Sequence, residues 1–67
     1  MVAPYDIFRM ESDGSVTWQE ATTTLENAKA RIDVLAVSAP ARYIIESRLT
    51  GLRTVIKPGA TRNDRLG

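Results

Sequence analysis

The sequence predicts an α+β domain of ββαββ order, with a four-stranded, mainly antiparallel sheet and one helix packed on one of its faces. Three observations predict it. Asp13-Gly14 lies between two runs rich in aromatic and β-branched residues, and a residue tolerant of positive φ followed by glycine is the strongest short-range hairpin signal. Leu25, Ala28, Ile32, Leu35 and Ala36 recur at three- and four-residue spacing, the period of a helix with one apolar stripe. Thr50-Gly51 then separates a second pair of β-prone runs at a position suited to a turn.

The first strand is read as Tyr5 to Met10, begun by Pro4, which cannot donate to a ladder, and the second as Val16 to Ala21. A two-residue loop would set Met10 against Thr17 and Arg9 against Trp18. A type I turn with Gly14 as a bulge would instead set Met10 against Val16 and Phe8 against Trp18. The second register is preferred because it puts Phe8, Met10, Val16 and Trp18 on one sheet face as cross-strand apolar pairs.

Thr22-Thr23-Thr24-Leu25-Glu26 contains a capping box if Thr23 is the N-cap, its hydroxyl facing the amide of Glu26 and the Glu26 carboxylate reaching back. The helix is therefore expected from Thr24 to about Ser38, where Pro40 stops it by disfavouring helical geometry at Ala39. Tyr43 to Ser47 has strong β propensity, and Leu52 to Ile56 is the returning strand. The strand order 2-1-3-4 places the two most apolar strands at the centre under the helix, although a right-handed parallel crossover from the second strand to the third is also allowed. The domain is expected to span residues 1–57. Lys57-Pro58-Gly59 is a breaker cluster, and residues 58–67, basic and without periodicity, are expected to form a disordered tail.

A chain of 67 residues is enough for one domain, and one of that size buries only about 60% of the surface its unfolded form exposes. Small domains are commonly stapled by disulfides, a metal or a partner subunit. Cysteine and histidine are both absent, which removes disulfides and the usual zinc ligands and leaves self-association as a staple. With 43% hydrophobic and 25% charged residues the composition is that of an ordinary soluble globular protein. The longest apolar stretch, around Ile32 to Val37, is broken by Asp33 and falls far short of the roughly 20 residues of a membrane span. No targeting signal is read, so a cytoplasmic protein without a membrane partner is expected.

The same absences bear on chemistry. Without histidine or cysteine, a serine nucleophile would need a lysine base, and Lys29 and Lys57 are the only two lysines. The eight carboxylates, Asp6 and Asp13 among them, fit turn, cap and surface roles, and no EF-hand spacing is present. An enzyme is not expected, nor is any cofactor or metal. Tyr5, Phe8, Trp18 and Tyr43 are the candidate interface residues, because one helix covers one face of a sheet and leaves some rings for water or another subunit. The formal charge is +1, yet Arg42, Arg48, Arg53, Lys57, Arg62 and Arg65 make the C-terminal part basic. They are the candidate patch for nucleic acid, or else a device against edge-to-edge aggregation. No RNA-binding signature, GXXG loop or helix-turn-helix pattern accompanies them.

The pattern Tyr5-x-Ile7, Asp13-Gly14-x-Val16-x-Trp18-x-Glu20-Ala21, Thr24-Leu25-Glu26-x-Ala28, Arg31-Ile32, Leu35-Ala36, Tyr43-Ile44-Ile45 and Thr50-Gly51 resembles short uncharacterised bacterial proteins of hairpin-helix-hairpin plan. The resemblance spans roughly residues 5–56 and implies the same fold, with no activity or site attached. The sequence as a whole assigns no specific biochemical function. The expectation is a small homodimer acting as a protein-interaction module, possible partners being a second copy and another protein. The alternative is a weak nucleic-acid-binding accessory protein using the C-terminal arginines.

Overall fold

In the computed structural model, which describes residues 3–57, the chain runs through β1 (Tyr5–Met10), β2 (Val16–Thr22), α1 (Leu25–Ser38), β3 (Arg42–Ser47) and β4 (Arg53–Ile56). The four strands form one sheet in the order β2-β1-β3-β4, every neighbouring pair antiparallel. This is the ββαββ α+β fold and the strand order read from the sequence. The segments expected to end the chain in a tail lie outside the described residues.

The first hairpin closes in the bulged register. The Gly14 amide donates to the Glu11 carbonyl at 3.0 Å and the Glu11 amide to the Ser15 carbonyl at 2.8 Å, with Gly14 at φ +92°. Only glycine adopts that angle without strain. Asp13 holds the loop by accepting from the Ser15 amide at 2.9 Å and the Ser15 hydroxyl at 2.7 Å. Phe8 pairs with Trp18 and Met10 with Val16.

A second irregularity, absent from the sequence reading, follows at once: Phe8 pairs with Trp18 but Ile7 pairs with Glu20. Gln19 is thus an extra residue, a β-bulge that re-aims whatever follows it. Without the bulge Glu20 would stand opposite Asp6, on the face away from the helix. With it, Glu20 turns to the helix side and meets Arg31 of α1, Nε to Oε2 at 2.6 Å and Nη2 to Oε1 at 3.3 Å. It also carries β2 one residue past the expected end, so that Thr22 is buried opposite Tyr5.

That extension moves the helix start. Thr24, not Thr23, is the N-cap: it has extended geometry (φ −134°, ψ 159°) and its hydroxyl accepts from the Asn27 amide at 3.0 Å. The box between Thr23 and Glu26 does not form, because Thr22 and Thr23 are used in leaving the strand. The Thr22 hydroxyl itself donates to the Thr24 carbonyl at 3.0 Å. At the other end the Ala39 amide donates to the Leu35 carbonyl and the Tyr43 hydroxyl donates to the Ala39 carbonyl at 2.7 Å.

The second hairpin turns through Arg48 to Gly51, with Gly51 at φ +77° and its amide on the Ser47 carbonyl at 2.7 Å. Leu52, expected in the strand, belongs to this turn. Its carbonyl accepts from the Ser47 amide and its amide donates to the Thr50 hydroxyl.

The core is one-sided. Ile7, Tyr43 and Ile45 from the two central strands pack with Ala28 and Ile32 of the helix, flanked by Tyr5, Leu35, Ala36, Ala41 and Ile56. The stripe read from the sequence is the buried one, with Leu25 at its exposed start. The helix packs on β1, β2 and β3 and does not reach β4.

Candidate interaction face

Alternation along a strand sends every second side chain to the opposite face. Since Ile7, Tyr43 and Ile45 lie under the helix, Asp6, Phe8 and Met10 of β1 and Arg42, Ile44 and Glu46 of β3 project from the other side. The pairing arranges that side in three rows across the strands. The central row is Trp18, Phe8, Ile44 and Val55, in register over all four strands. Toward one end lie Val16, Met10 and Arg42. Toward the other lie Ala21, Asp6, Glu46 and Arg53.

Among the described residues no element covers this face, and its outer apolar residues are open: Trp18 is 54% exposed, Val16 50% and Val55 52%. Ile44 in the middle is only 8% exposed because its neighbours close over it. A small hollow remains, lined by Phe8, Val16, Ile44, Glu46 and Arg53.

Trp18 is fixed in place. Its Nε1 donates to Asp6 Oδ1 at 3.1 Å, which lays the indole along the face. Asp6 also takes two hydrogen bonds from Arg48, Nε to Oδ2 at 2.7 Å and Nη2 to Oδ1 at 2.9 Å. These are the paired, charge-assisted contacts that a guanidinium makes best. The Arg48 hydrogen bonds, with a further contribution from Trp18, hold the Asp6 carboxyl below its ordinary value although burial opposes them. The Arg48 amide donates to the Pro4 carbonyl at 2.8 Å, so the turn after β3 is tied to the start of β1. Sequence reasoning gave Asp6 a surface role and Arg48 a place in a basic patch. Their 42-residue separation carries no local signal, and only the antiparallel pairing of β1 with β3 joins them.

The four rings named from the sequence divide. Trp18 and Phe8 lie on the uncovered face. Tyr43 does not: at 1% exposure it is core beneath the helix, which corrects its assignment as an interface residue. Its parity with Ile45 puts it on the covered side, and its hydroxyl is satisfied at the helix end. Tyr5 is likewise on the helix side, partly buried against the core.

The basic residues divide too. Arg48 is engaged with Asp6, and Arg53 approaches Glu46 at 3.5 Å. Arg42 and Lys57 are exposed at the opposite end of the sheet, and Arg62 and Arg65 lie outside the described residues. Among the described residues, therefore, Arg48 and Arg53 sit beside carboxylates at one end of the sheet and Arg42 and Lys57 lie at the other, so the four do not gather into one patch. Most of the remaining carboxylates are also engaged. Glu11 accepts from Arg9 Nε and the Thr17 hydroxyl, both at 2.9 Å, which lowers its carboxyl. The Ser15 amide and hydroxyl lower that of Asp13. No described helix is long and apolar enough to cross a membrane.

In comparisons with known proteins, no family model matches the chain, and neither a curated protein nor a solved structure matches it significantly.

Proposed function

We propose that this protein is a small cytoplasmic interaction module without catalytic activity, which works as a homodimer joined through the uncovered sheet face. One observation carries the reading: an in-register apolar row, Trp18-Phe8-Ile44-Val55, crosses the whole sheet on the side that no helix shields. A contiguous exposed apolar surface marks an interaction site in a folded protein. Two sheets stacked face to face about 10 Å apart would bury it as the inner layer of a sandwich. The chain's size makes the same demand, because one thin core under one helix gives little stability and there are no cysteines to add a disulfide. Closed two-fold symmetry is the commonest way for a chain to cover such a face.

Sedimentation equilibrium across the micromolar range tests the reading. The expected result is a reversible monomer–dimer equilibrium that Trp18→Ala shifts to monomer while also lowering stability. A well-folded species that stays monomeric at every concentration would overturn it. Trp18 is the sole tryptophan, so its emission should move to shorter wavelength as concentration rises.

A further inference from the structure

We infer that the two copies stack with their β3 strands crossing antiparallel at Ile44, so that Arg42 of each copy pairs with Glu46 of the other on either side of the shared apolar row. The inference rests on the homodimer proposed above and specifies its geometry.

The face is charge-polarised about its own centre. Arg42 and Glu46 lie two residues before and two residues after Ile44 on the same strand, and by alternation all three project from the uncovered face. Arg42 is exposed and makes no ion pair among the described residues. Glu46 has only the long 3.5 Å contact with Arg53, and a carboxylate has room for further donors.

With the strands of the two sheets aligned and the axis through the centre of the sheet, two face-to-face arrangements have two-fold symmetry. With the axis running along the strands, β3 of one copy lies over β1 of the other and the ends match end for end. Glu46 would then meet the second copy's Asp6, setting carboxylate against carboxylate, and Arg42 would meet Met10. With the axis along the apolar row, the ends exchange. Trp18 then packs over the second copy's Trp18 and Ile44 over its Ile44, and each Arg42 stands over a Glu46. A separation of about 10 Å between sheets is one that an arginine and a glutamate side chain span together. The second arrangement makes two Arg42–Glu46 contacts at the rim of an apolar centre. It lays the basic end of each face, Arg42 with the exposed Lys57 two residues past Val55, over the other copy's Asp6–Glu46 end, although Lys57 then stands near the second copy's Arg53. The first superposes the two basic ends and sets Glu46 against Asp6, which costs affinity.

Charge reversal tests this, with wild type, Arg42→Glu, Glu46→Arg and the double variant compared by sedimentation equilibrium, and folding checked by circular dichroism. Each single reversal should weaken the homodimer about tenfold or more, since it makes like-charge contacts twice per dimer. The double variant should recover most of the loss. An equimolar mixture of the two single variants should form a heterodimer tighter than either homodimer, because every Arg42–Glu46 contact in it again joins opposite charges. Recovery cannot arise within one chain. Residues four apart on a strand are about 13 Å from each other, beyond the screening length of about 8 Å at physiological salt.

A dimeric wild type whose double variant and mixture associate no better than the single variants would overturn this geometry while leaving the homodimer standing. A dimer unaffected by either single reversal would do the same and point to the open edges of β2 or β4. A strictly monomeric wild type would overturn the homodimer itself.

Discussion

Asp6 is the residue on which the uncovered face depends. It accepts from Trp18 and twice from Arg48, and so joins β1, β2 and the turn after β3 while fixing the indole's direction. Its folded value lies below the ordinary 3.8, so the unfolded chain holds the proton more tightly. The stability from this contact is full above the ordinary value and is lost as the pH falls through the folded one. Urea midpoints measured from pH 7 down to pH 3 should show wild type losing more stability than Asp6→Asn over the acid part of that range. At pH 7 the variant itself should cost about 1–2 kcal/mol. Some acid lability should persist in the variant, because Glu11 and Asp13 are lowered as well. At this scale the sequence is legible only where partners are neighbours. Asp13 and Ser15 are two apart and their turn was readable, but Asp6 and Arg48 become partners only when β1 pairs with β3. Tyr43 is instructive in the same way. Its alternation with Ile44 is visible in the sequence, yet nothing local says which of the two parities faces the helix.

At the scale of the element, the start of the helix shows how one strand sets the limits of the next piece of chain. Thr22, Thr23 and Thr24 are all chemically able to cap, and the Glu26 that follows favours Thr23 on local grounds. The bulge at Gln19 settles the choice by carrying β2 through Thr22, after which Thr24 is the first residue free to hold extended geometry and face the Asn27 amide. Thr24→Ala should therefore lower stability by about 1 kcal/mol, and Thr23→Ala by less than about 0.5 kcal/mol, as expected of an exposed site without a structural role. Urea denaturation followed by circular dichroism distinguishes them. Equal losses would restore the capping box. Helix type, length and buried stripe were readable, because a 3.6-residue period and its stop at Pro40 are written in adjacent residues. The bulge was not, since an extra residue shows only when a partner strand supplies the register.

At the scale of the molecule, a single thin layer of side chains between sheet and helix is asked to hold the whole chain. Its central members, Ile7, Tyr43, Ile45, Ala28 and Ile32, are few, and β4 has no helix above it. If association through the uncovered face adds to this, the thermal midpoint should rise with protein concentration by mass action, and the rise should vanish in Trp18→Ala. A midpoint independent of concentration in the wild type would count against the homodimer. The sequence by itself determined the five elements and their order and favoured the bulged register of the first hairpin, because turn chemistry and the periods of 2 and 3.6 act between residues close in the chain. It left the strand order open between 2-1-3-4 and a parallel crossover, and the distant pairing of β1 with β3 decided it. Only the tertiary structure decided which side of each strand is covered, which of the four rings remain outside, and which charges find partners. Those depend on where the helix settles and on pairings between residues up to 42 positions apart, and such contacts leave no mark on any stretch of sequence read alone.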